Sequence, residues 1–367
     1  MKTFWAMLAG TVWLHAAFGE GIVTSAPPAQ LVFVPHPSAW SVIKHPTLPA
    51  LYLGCHATAT NRNLITYRLN ADGSLISESQ RISDNYFIAS TNAEFQYRIY
   101  RPSVDPGRNI LYVIAGADSP ATSFTNASNN EIVALALDEQ GQPAKVLKAF
   151  RTDQTGTQYL VGVRCDPATR RLYLTYSTYL GWCGLSDDGL PVSAKCNLIN
   201  YTLTSWYWDY VPEWERFYAI YSGLSLRIFK LASDGVNVEF LQGSGVCYGD
   251  SGCIQVGHKF RKLYNLDLSQ GARLVVCMLT KEGNLTSVPR HIPLPDVVGI
   301  RCDFTANKLY AWTRDTVWKT WTLDADGYPR GEPQVTALGC GEIKDVFVDE
   351  QTGKVYVACT QAPTAAQ

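Results

Sequence analysis

The most regular feature of the chain is an apolar residue followed by tyrosine inside a short run of branched and aromatic residues. Seven such pairs occur, with the tyrosines at Tyr52, Tyr112, Tyr173, Tyr218, Tyr264, Tyr310 and Tyr356. Successive tyrosines are 60, 61, 45, 46, 46 and 46 residues apart. Runs of this composition are typical of β-strands, and a fixed period in the forties is typical of repeat architectures. The pattern therefore predicts seven copies of one strand-rich unit.

Turn residues recur at fixed places around these tyrosines. Downstream of six of them a polar residue is followed by glycine, at Asp72-Gly73, Gln140-Gly141, Asp188-Gly189, Asp234-Gly235, Glu282-Gly283 and Asp326-Gly327. Glycine readily adopts the positive φ that a tight hairpin turn requires. A second turn lies seven residues before each tyrosine, as at His45, Asp105 and Asp166. Each repeat therefore holds four antiparallel strands, which is the make-up of a propeller blade.

The predicted fold is an all-β, seven-bladed β-propeller of four-stranded antiparallel blades. The last repeat, around Tyr356, has no glycine turn after it and so lacks its outer strands. The strand-like stretches Ile22–Thr24 and Leu31–Val34 precede the first inner strand and have no repeat of their own. We therefore expect the N-terminal segment to complete the seventh blade, which closes the ring and removes an exposed sheet edge.

These units resemble those of the lactonase-type seven-bladed propellers, a family that contains 6-phosphogluconolactonase-like proteins and related proteins named for a Tyr-Val-Thr-Asn motif. His45-Pro46 before Leu51-Tyr52 is similar to the family's His-Pro…Leu-Tyr unit, and Asp105-Pro106 and Asp166-Pro167 are variants of it. The resemblance covers essentially all of the mature chain and rests on the repeat pattern. It implies the propeller fold. No catalytic set of the family matches this chain residue by residue, so function has to be argued from the site.

The N-terminus has the features of a secretory signal peptide. Lys2 supplies positive charge, residues 4–14 are almost wholly apolar, and residues 17–19 form a small-x-small cleavage site. We expect cleavage after residue 19 and a single mature domain of residues 20–367. No later apolar stretch is long enough to span a membrane, so the sequence predicts a secreted or periplasmic monomer.

The charge balance and the cysteine and histidine content limit the classes of partner and cofactor that the sequence predicts. The 31 basic and 32 acidic residues give a formal net charge of -1, which gives no reason to expect nucleic acid as a partner. The ten cysteines fit an oxidising compartment. The expected disulfides join pairs that are close in sequence, Cys183 with Cys196 and Cys247 with Cys253. The histidines and cysteines form no zinc-binding motif, so we predict no metal site and no cofactor.

Counting back from each tyrosine predicts what the innermost strands present. One column lies nine residues before the tyrosines and consists of Ile43, Ser103, Arg164, Asp209, Gln255, Arg301 and Phe347. A second lies eleven residues before them and consists of Ser41, Arg101, Gly162, Tyr207, Cys253, Gly299 and Asp345. Side chains two residues apart in a strand share a face. The two columns therefore form one largely polar face, while the apolar residues between them pack.

This polar face carries the candidate site at the mouth of the central channel. The candidate ligand-binding residues are Arg101, Arg164, Arg301, Tyr207 and Gln255, and the candidate catalytic residues are Asp209 and Asp345. Arginines that converge with carboxylates can hold a carboxylate, phosphate or sugar through bidentate hydrogen bonds. A lactonase also needs a base that activates water and a group that stabilises an oxyanion. The same side chains could instead form ion pairs that hold neighbouring blades in register.

The predicted function is binding of a small molecule or a protein partner at the channel mouth. The alternative is a lactone hydrolase, or a related isomerase, that acts on a small carboxylated or sugar-derived substrate. The aromatic cluster of Trp206, Tyr207, Trp208 and Tyr210 fits a stacking platform for a sugar ring. It also fits packing between blades, which the place of Trp208 in the apolar column favours.

Overall fold

The computed structural model describes most of the chain, namely residues 31–55, 64–76, 80–81, 96–99, 102–118, 131–151, 160–176, 180–192, 197–199, 208–221, 225–231, 238–244, 253–268, 271–286 and 288–364. Within these ranges the chain forms 28 β-strands and two short 3-10 helices, Pro212–Trp214 and His258–Phe260. No helix in the described ranges has the length and apolar character that crossing a membrane requires. The predicted signal peptide lies outside the described residues.

The strands form seven sheets, and each sheet is one blade. The first strand, β1 (Leu31–Pro35), belongs to the last blade. Blade 1 holds β2 (Ala39–Lys44), β3 (Ala50–Cys55), β4 (Leu64–Arg68) and β5 (Gln80–Arg81). Blade 2 holds β6 (Gln96–Ile99), β7 (Ser103–Asp105), β8 (Ile110–Asp118), β9 (Glu131–Leu137) and β10 (Pro143–Arg151). Blade 3 holds β11 (Leu160–Asp166), β12 (Arg171–Tyr176), β13 (Leu180–Gly184) and β14 (Asn197–Ile199).

The remaining blades follow in chain order. Blade 4 holds β15 (Trp208–Val211), β16 (Arg216–Tyr221), β17 (Ser225–Leu231) and β18 (Val238–Ser244). Blade 5 holds β19 (Ile254–Gly257), β20 (Lys262–Asp267), β21 (Arg273–Met278) and β22 (Arg290–Pro293). Blade 6 holds β23 (Val297–Asp303), β24 (Lys308–Thr313), β25 (Val317–Leu323) and β26 (Pro329–Ala337). Blade 7 combines β27 (Ile343–Asp349) and β28 (Lys354–Cys359) with β1. The predicted seven-bladed β-propeller is confirmed.

Two blades depart from the regular antiparallel plan. In blade 7, β1 pairs with β28 in parallel, from Leu31 opposite Val355 to Pro35 opposite Cys359. The segment Leu31–Pro35 therefore closes the ring as predicted, while Ile22–Thr24 lies outside the described residues. The described part of this blade has three strands and one parallel pairing. In blade 2, β6 and β7 both pair with β8 and are separated around Pro102, whose missing N–H cannot join the ladder.

The apolar–tyrosine pair recurs because its two members pack against opposite neighbouring blades. Seven hydrophobic clusters lie between successive blades. Each contains the repeat tyrosine of one blade and the apolar repeat residue of the next, such as Tyr52 with Leu111. The same contact closes the ring, where Tyr356 of blade 7 shares a cluster with Leu51 of blade 1. The core is therefore distributed in the spaces between blades.

The same tyrosines also hydrogen-bond to the glycine turn of the next blade. In five described pairs the tyrosine Oη donates to the glycine carbonyl at 2.5 to 3.0 Å: Tyr52 to Gly141, Tyr112 to Gly189, Tyr218 to Gly283, Tyr264 to Gly327 and Tyr356 to Gly73. All five glycines have positive φ. Two motifs that are separate in sequence thus form one set of contacts around the ring. Tyr310 precedes the blade without a glycine turn, and its buried Oη has no hydrogen-bond partner among the described residues.

Tyrosine-to-phenylalanine substitutions test this set of contacts. Tyr264→Phe should lower the free energy of unfolding by about 1–2 kcal/mol, because the Gly327 carbonyl loses its donor. Tyr310→Phe should change it by less than about 0.5 kcal/mol or raise it, since that hydroxyl is buried without a partner among the described residues. Chemical denaturation of both variants beside the parent measures the difference. Equal losses in the two variants would contradict the assigned role.

Candidate functional site

The innermost strands enclose a central channel with a cavity of about 800 Å³. Both predicted columns contribute to its wall. The column nine residues before the tyrosines supplies Ser103, Arg164, Asp209, Gln255, Arg301 and Phe347. The column eleven residues before them supplies Ser41, Gly162, Cys253, Gly299 and Asp345. The repeat register therefore leads to one continuous surface around the channel.

The structure brings five of the seven candidate site residues to this wall. They are Arg164, Asp209, Gln255, Arg301 and Asp345. Arg101 and Tyr207 lie outside the described residues. The five residues differ in burial and in hydrogen bonding, and these differences separate residues that join blades from residues that face the cavity.

Polar side chains of the nine-residue column join a blade to the next one. Ser103 Oγ accepts a hydrogen bond from the Cys165 N–H at 2.8 Å. Gln255 Oε1 accepts one from the Cys302 N–H at 2.8 Å, and its Nε2 donates to the Ile300 carbonyl at 3.3 Å. The inner strands of neighbouring blades belong to different sheets and are not joined by backbone pairing. These side-chain hydrogen bonds connect them instead. Gln255 therefore has a structural role.

Arg301 and Asp345 form a buried clamp across three blades. Their ion pair measures 2.8 Å, and the side chains are 10% and 8% exposed. Arg301 Nε also donates to the Val346 carbonyl at 2.9 Å, and Asp345 Oδ2 accepts from the Val42 N–H of blade 1 at 3.1 Å. A buried pair with this many partners has few groups left for a ligand. Its bonds hold blades 6, 7 and 1 in register.

Arg164 and Asp209 form a second ion pair, which opens onto the cavity. Arg164 Nη1 lies 2.7 Å from Asp209 Oδ1, and the side chains are 40% and 23% exposed. The described hydrogen bonds use one of the five N–H groups of the guanidinium. Asp209 also accepts from the N–H groups of Tyr210 and Val256, both at 2.9 Å. An arginine with spare donors beside a fixed carboxylate can bind an anionic or polarised oxygen.

A β-bulge brings further residues to the wall that strict alternation does not predict. In blades 1, 3, 6 and 7 the pairing of the inner strand shifts at the residue twelve before the tyrosine. A bulge redirects a side chain, and Trp40, Val298 and Lys344 at this position line the cavity. Lys344 pairs with Glu342 at 2.6 Å, and the exposed Arg314 lines the same cavity. The glycine that follows this position in blades 3 and 6 is the sequence signal for the bulge.

The aromatic cluster around Trp208 divides between packing and the cavity. Trp206 and Tyr207 lie outside the described residues. Tyr210 is buried and stacks on Phe217 with ring centroids 4.4 Å apart. Trp208 packs against the same cluster between blades 3 and 4 and also lines the channel. Tyr210 therefore has a packing role between blades, whereas Trp208 both packs between blades and forms part of the channel wall.

The conspicuous cysteines and histidine of the repeats belong to the scaffold. Burial raises the pKa of the Cys165 thiol to about 12 and raises that of Cys302 well above its ordinary value, so both thiols stay protonated at neutral pH. His45 Nδ1 accepts from the N–H groups of Thr47 and Leu48 at 3.2 and 2.9 Å. Burial lowers the pKa of His45 to about 4. His45 is therefore a neutral turn residue at pH 7.

No disulfide joins two cysteines of the described residues. Cys196 and Cys247 lie outside those residues, so the two disulfides expected from the sequence stay predictions. In the same part of the chain, no three His, Cys, Asp or Glu side chains converge into a group that could hold a metal ion.

Solved structures with a similar fold include two lactonases by name. A protein assigned as a 6-phosphogluconolactonase from Bacteroides uniformis matches with a TM-score of 0.60 and 14% identity, over 84% of this chain and 88% of its own. The periplasmic gluconolactonase of Pseudomonas aeruginosa matches with a TM-score of 0.57 and 11% identity, over 82% and 85%. A protein from Lactobacillus plantarum matches with a TM-score of 0.58 and 11% identity, over 82% and 84%.

The fold is that of the lactonase-type seven-bladed propellers. The resemblance seen in the repeat pattern is thereby confirmed at the level of the fold. No protein-family model and no curated protein matches the sequence. At identities of 11% to 14% the likeness shows the fold alone, and a fold of this kind hosts several chemistries. Function therefore has to rest on the channel residues.

Proposed function

We propose that this protein binds a small carboxylated or sugar-derived lactone in its central channel and hydrolyses it. The observation that carries the proposal is the Arg164–Asp209 ion pair, which is partly exposed on the wall of a cavity of about 800 Å³. Two proteins of similar fold carry names that specify lactonase activity. Their likeness supports lactone chemistry as the reaction class, and the local geometry suggests the role of each residue.

In this proposal Asp209 is the base and Arg164 stabilises the developing charge. A carboxylate has about four lone-pair directions, and three of those on Asp209 accept from Arg164, Tyr210 and Val256. A water at the fourth direction loses a proton to Asp209 as its oxygen attacks the lactone carbonyl. The remaining N–H groups of Arg164 face the negative charge that forms on the carbonyl oxygen. The ring C–O bond then breaks, and the leaving ring oxygen takes up the proton that Asp209 received from the water.

Binding without turnover is the second candidate function. It is favoured by the bonds that Asp209 and Asp345 already make to backbone amides and arginines. These bonds occupy most of the acceptor positions of the two carboxylates. In that case the channel would hold a small acid, or an acidic segment of a protein partner, against the Arg164 donors that the described hydrogen bonds leave unused.

A panel of lactones distinguishes these two functions. The purified protein is assayed with glucono-1,5-lactone, its 6-phosphate and simple γ- and δ-lactones, with and without added divalent cation. As a lactonase it should hydrolyse at least one of them above the uncatalysed rate. The value of kcat/KM should then fall by about 10²–10⁴ in Asp209→Asn and by about 10²–10³ in Arg164→Ala.

Glu350→Gln is the matched control for this assay. Glu350 also lines the cavity, but it is exposed and accepts from the Phe304 N–H at 3.3 Å and the Thr305 hydroxyl at 2.7 Å. Its variant should keep full turnover. Absence of turnover with every lactone would contradict the hydrolase, and saturable binding of gluconate that is lost in Arg164→Ala would then support the binding function.

A further inference from the structure

Two cysteines meet where the last blade closes. Cys340 lies in the connection before β27, and Cys359 is the last residue of β28. The two segments run side by side, because Ile343 is the ladder partner of Cys359 and the Gly341 N–H donates to the Gln361 carbonyl at 3.1 Å. The backbone therefore brings the two cysteines onto neighbouring chain segments.

The two thiols also point to the same side of this pairing. Cys359 follows Val355 and Val357 at intervals of two residues, and so it shares their face of the strand. Both valines belong to the cluster between blades 6 and 7 against which Cys340 packs. The mutual interaction of the two thiols is the main cause that lowers the pKa of Cys340 and raises the pKa of Cys359. The Cys359 thiol also donates to the Gln361 carbonyl at 3.1 Å, on the segment that pairs with Gly341.

The surroundings favour reaction at Cys340 and close approach of the segments. Cys340 is half-buried, whereas Cys359 is fully buried. A small oxidant can therefore reach Cys340 first. Gly341 permits the close approach, because a Cβ at that position would collide with the Thr360 side chain and lie 2.6 Å from the Gln361 nitrogen.

We propose that Cys340 and Cys359 form a reversible disulfide that fastens one wall of the channel to the last strand of the propeller. The Cys340 thiolate attacks a small-molecule disulfide such as oxidised glutathione, which leaves a mixed disulfide on Cys340 and releases one glutathione thiolate. Cys359 gives up its proton to solvent, and its sulfur attacks the Cys340 sulfur and displaces the second glutathione. Two electrons and two protons pass from the cysteine pair to the glutathione pair.

The position of this bond links it to the channel. Glu342 and Lys344 lie two and four residues after Cys340 and line the cavity. Oxidation would hold their segment against β28, and reduction would release that restraint. The proposal is independent of the reaction carried out in the channel, because it requires only the two thiols and a small disulfide.

Non-reducing peptide mapping tests the proposal. Trypsin should release residues 331–344 and 355–367, each with a single cysteine. After the purified protein has been incubated with oxidised glutathione and its remaining thiols alkylated, we expect these two peptides to be linked and to separate on reduction. Since a disulfide restricts the unfolded chain, oxidation should also raise the thermal midpoint by about 2–6 °C.

Single substitutions provide the controls. Cys340→Ser and Cys359→Ala should each remove the linked peptides and the rise in thermal midpoint. Cys165→Ser changes another half-buried cysteine and should keep both. If Cys359→Ala fails to fold, Cys340→Ser still decides the matter. The proposal is overturned if the folded, oxidised protein yields both cysteines alkylated, or yields Cys340 joined only to glutathione.

Discussion

Replacing Arg301 with alanine should lower the free energy of unfolding by about 3–5 kcal/mol. The substitution removes the cation that lies 2.8 Å from Asp345, whose side chain is only 8% exposed. It also removes the donor to the Val346 carbonyl, which links blade 6 to blade 7. A buried carboxylate that loses its cation keeps its desolvation penalty without the compensating attraction.

Arg164→Ala is the matched control for this prediction. Arg164 holds the same repeat position three blades earlier, and residues 161–166 are a near-copy of residues 298–303. Because its ion pair is 40% exposed on the arginine side, its loss should cost at most about 1 kcal/mol. Urea denaturation followed by circular dichroism compares the two variants. Equal losses would contradict the distinction between a buried clamp and a pair open to the cavity.

The substitution Gly299→Ala should cost about 3 kcal/mol, near the upper end of the usual range for overpacking. A Cβ at this position would collide with the Cζ2 and Cε2 atoms of Trp312 and lie 2.8 Å from its Cη2 atom. Trp312 is buried and stacks on Trp318 with ring centroids 6.1 Å apart. Because the indole is buried and held against Trp318, we expect the inner strand of blade 6 to shift rather than the ring.

Gly162→Ala provides the comparison from the equivalent position of blade 3. There a Cβ would lie 3.2 Å from Thr175 Oγ1 and 3.4 Å from the Trp208 indole nitrogen. A small adjustment accommodates these contacts, so the expected loss is below about 1 kcal/mol. Thermal and urea denaturation measure both variants. A Gly299→Ala protein as stable as the Gly162→Ala protein would show that the Trp312 ring is free to move.

The number of blades and the register of the inner strands could be predicted from the sequence because each repeat contains one tyrosine with a fixed environment. That tyrosine packs against the next blade and, in five described pairs, approaches a glycine turn there. A tyrosine such as Tyr52 is buried against the next blade and reaches its glycine turn, so neither its size nor its spacing can vary freely. The closing contact between Tyr356 and Leu51 obeys the same rule. The parallel direction of β1 was not predictable, since the strand pattern does not record the direction of pairing.

The roles of the individual arginines could not be predicted from the sequence. Arg164 and Arg301 lie in near-identical local sequences, but their carboxylate partners come from different columns of different blades. Asp209 belongs to the nine-residue column and Asp345 to the eleven-residue column. How deeply each ion pair is buried therefore depends on which blade and column supply its carboxylate, and the local sequence around the arginine does not record this. Likewise, Lys344 reaches the cavity through a bulge that breaks the period-two rule.

Calorimetric titration of the protein with gluconate tests most directly whether the Arg164–Asp209 pair is the ligand-binding part of the channel. The acid is the product of gluconolactone hydrolysis and carries the carboxylate that Arg164 would hold, so it reports on both candidate functions. We expect saturable binding by the parent protein and a loss of about tenfold or more in affinity in Arg164→Ala, the effect of removing a charged hydrogen-bond donor. No binding by the parent, or binding that Arg164→Ala leaves unchanged, would contradict it.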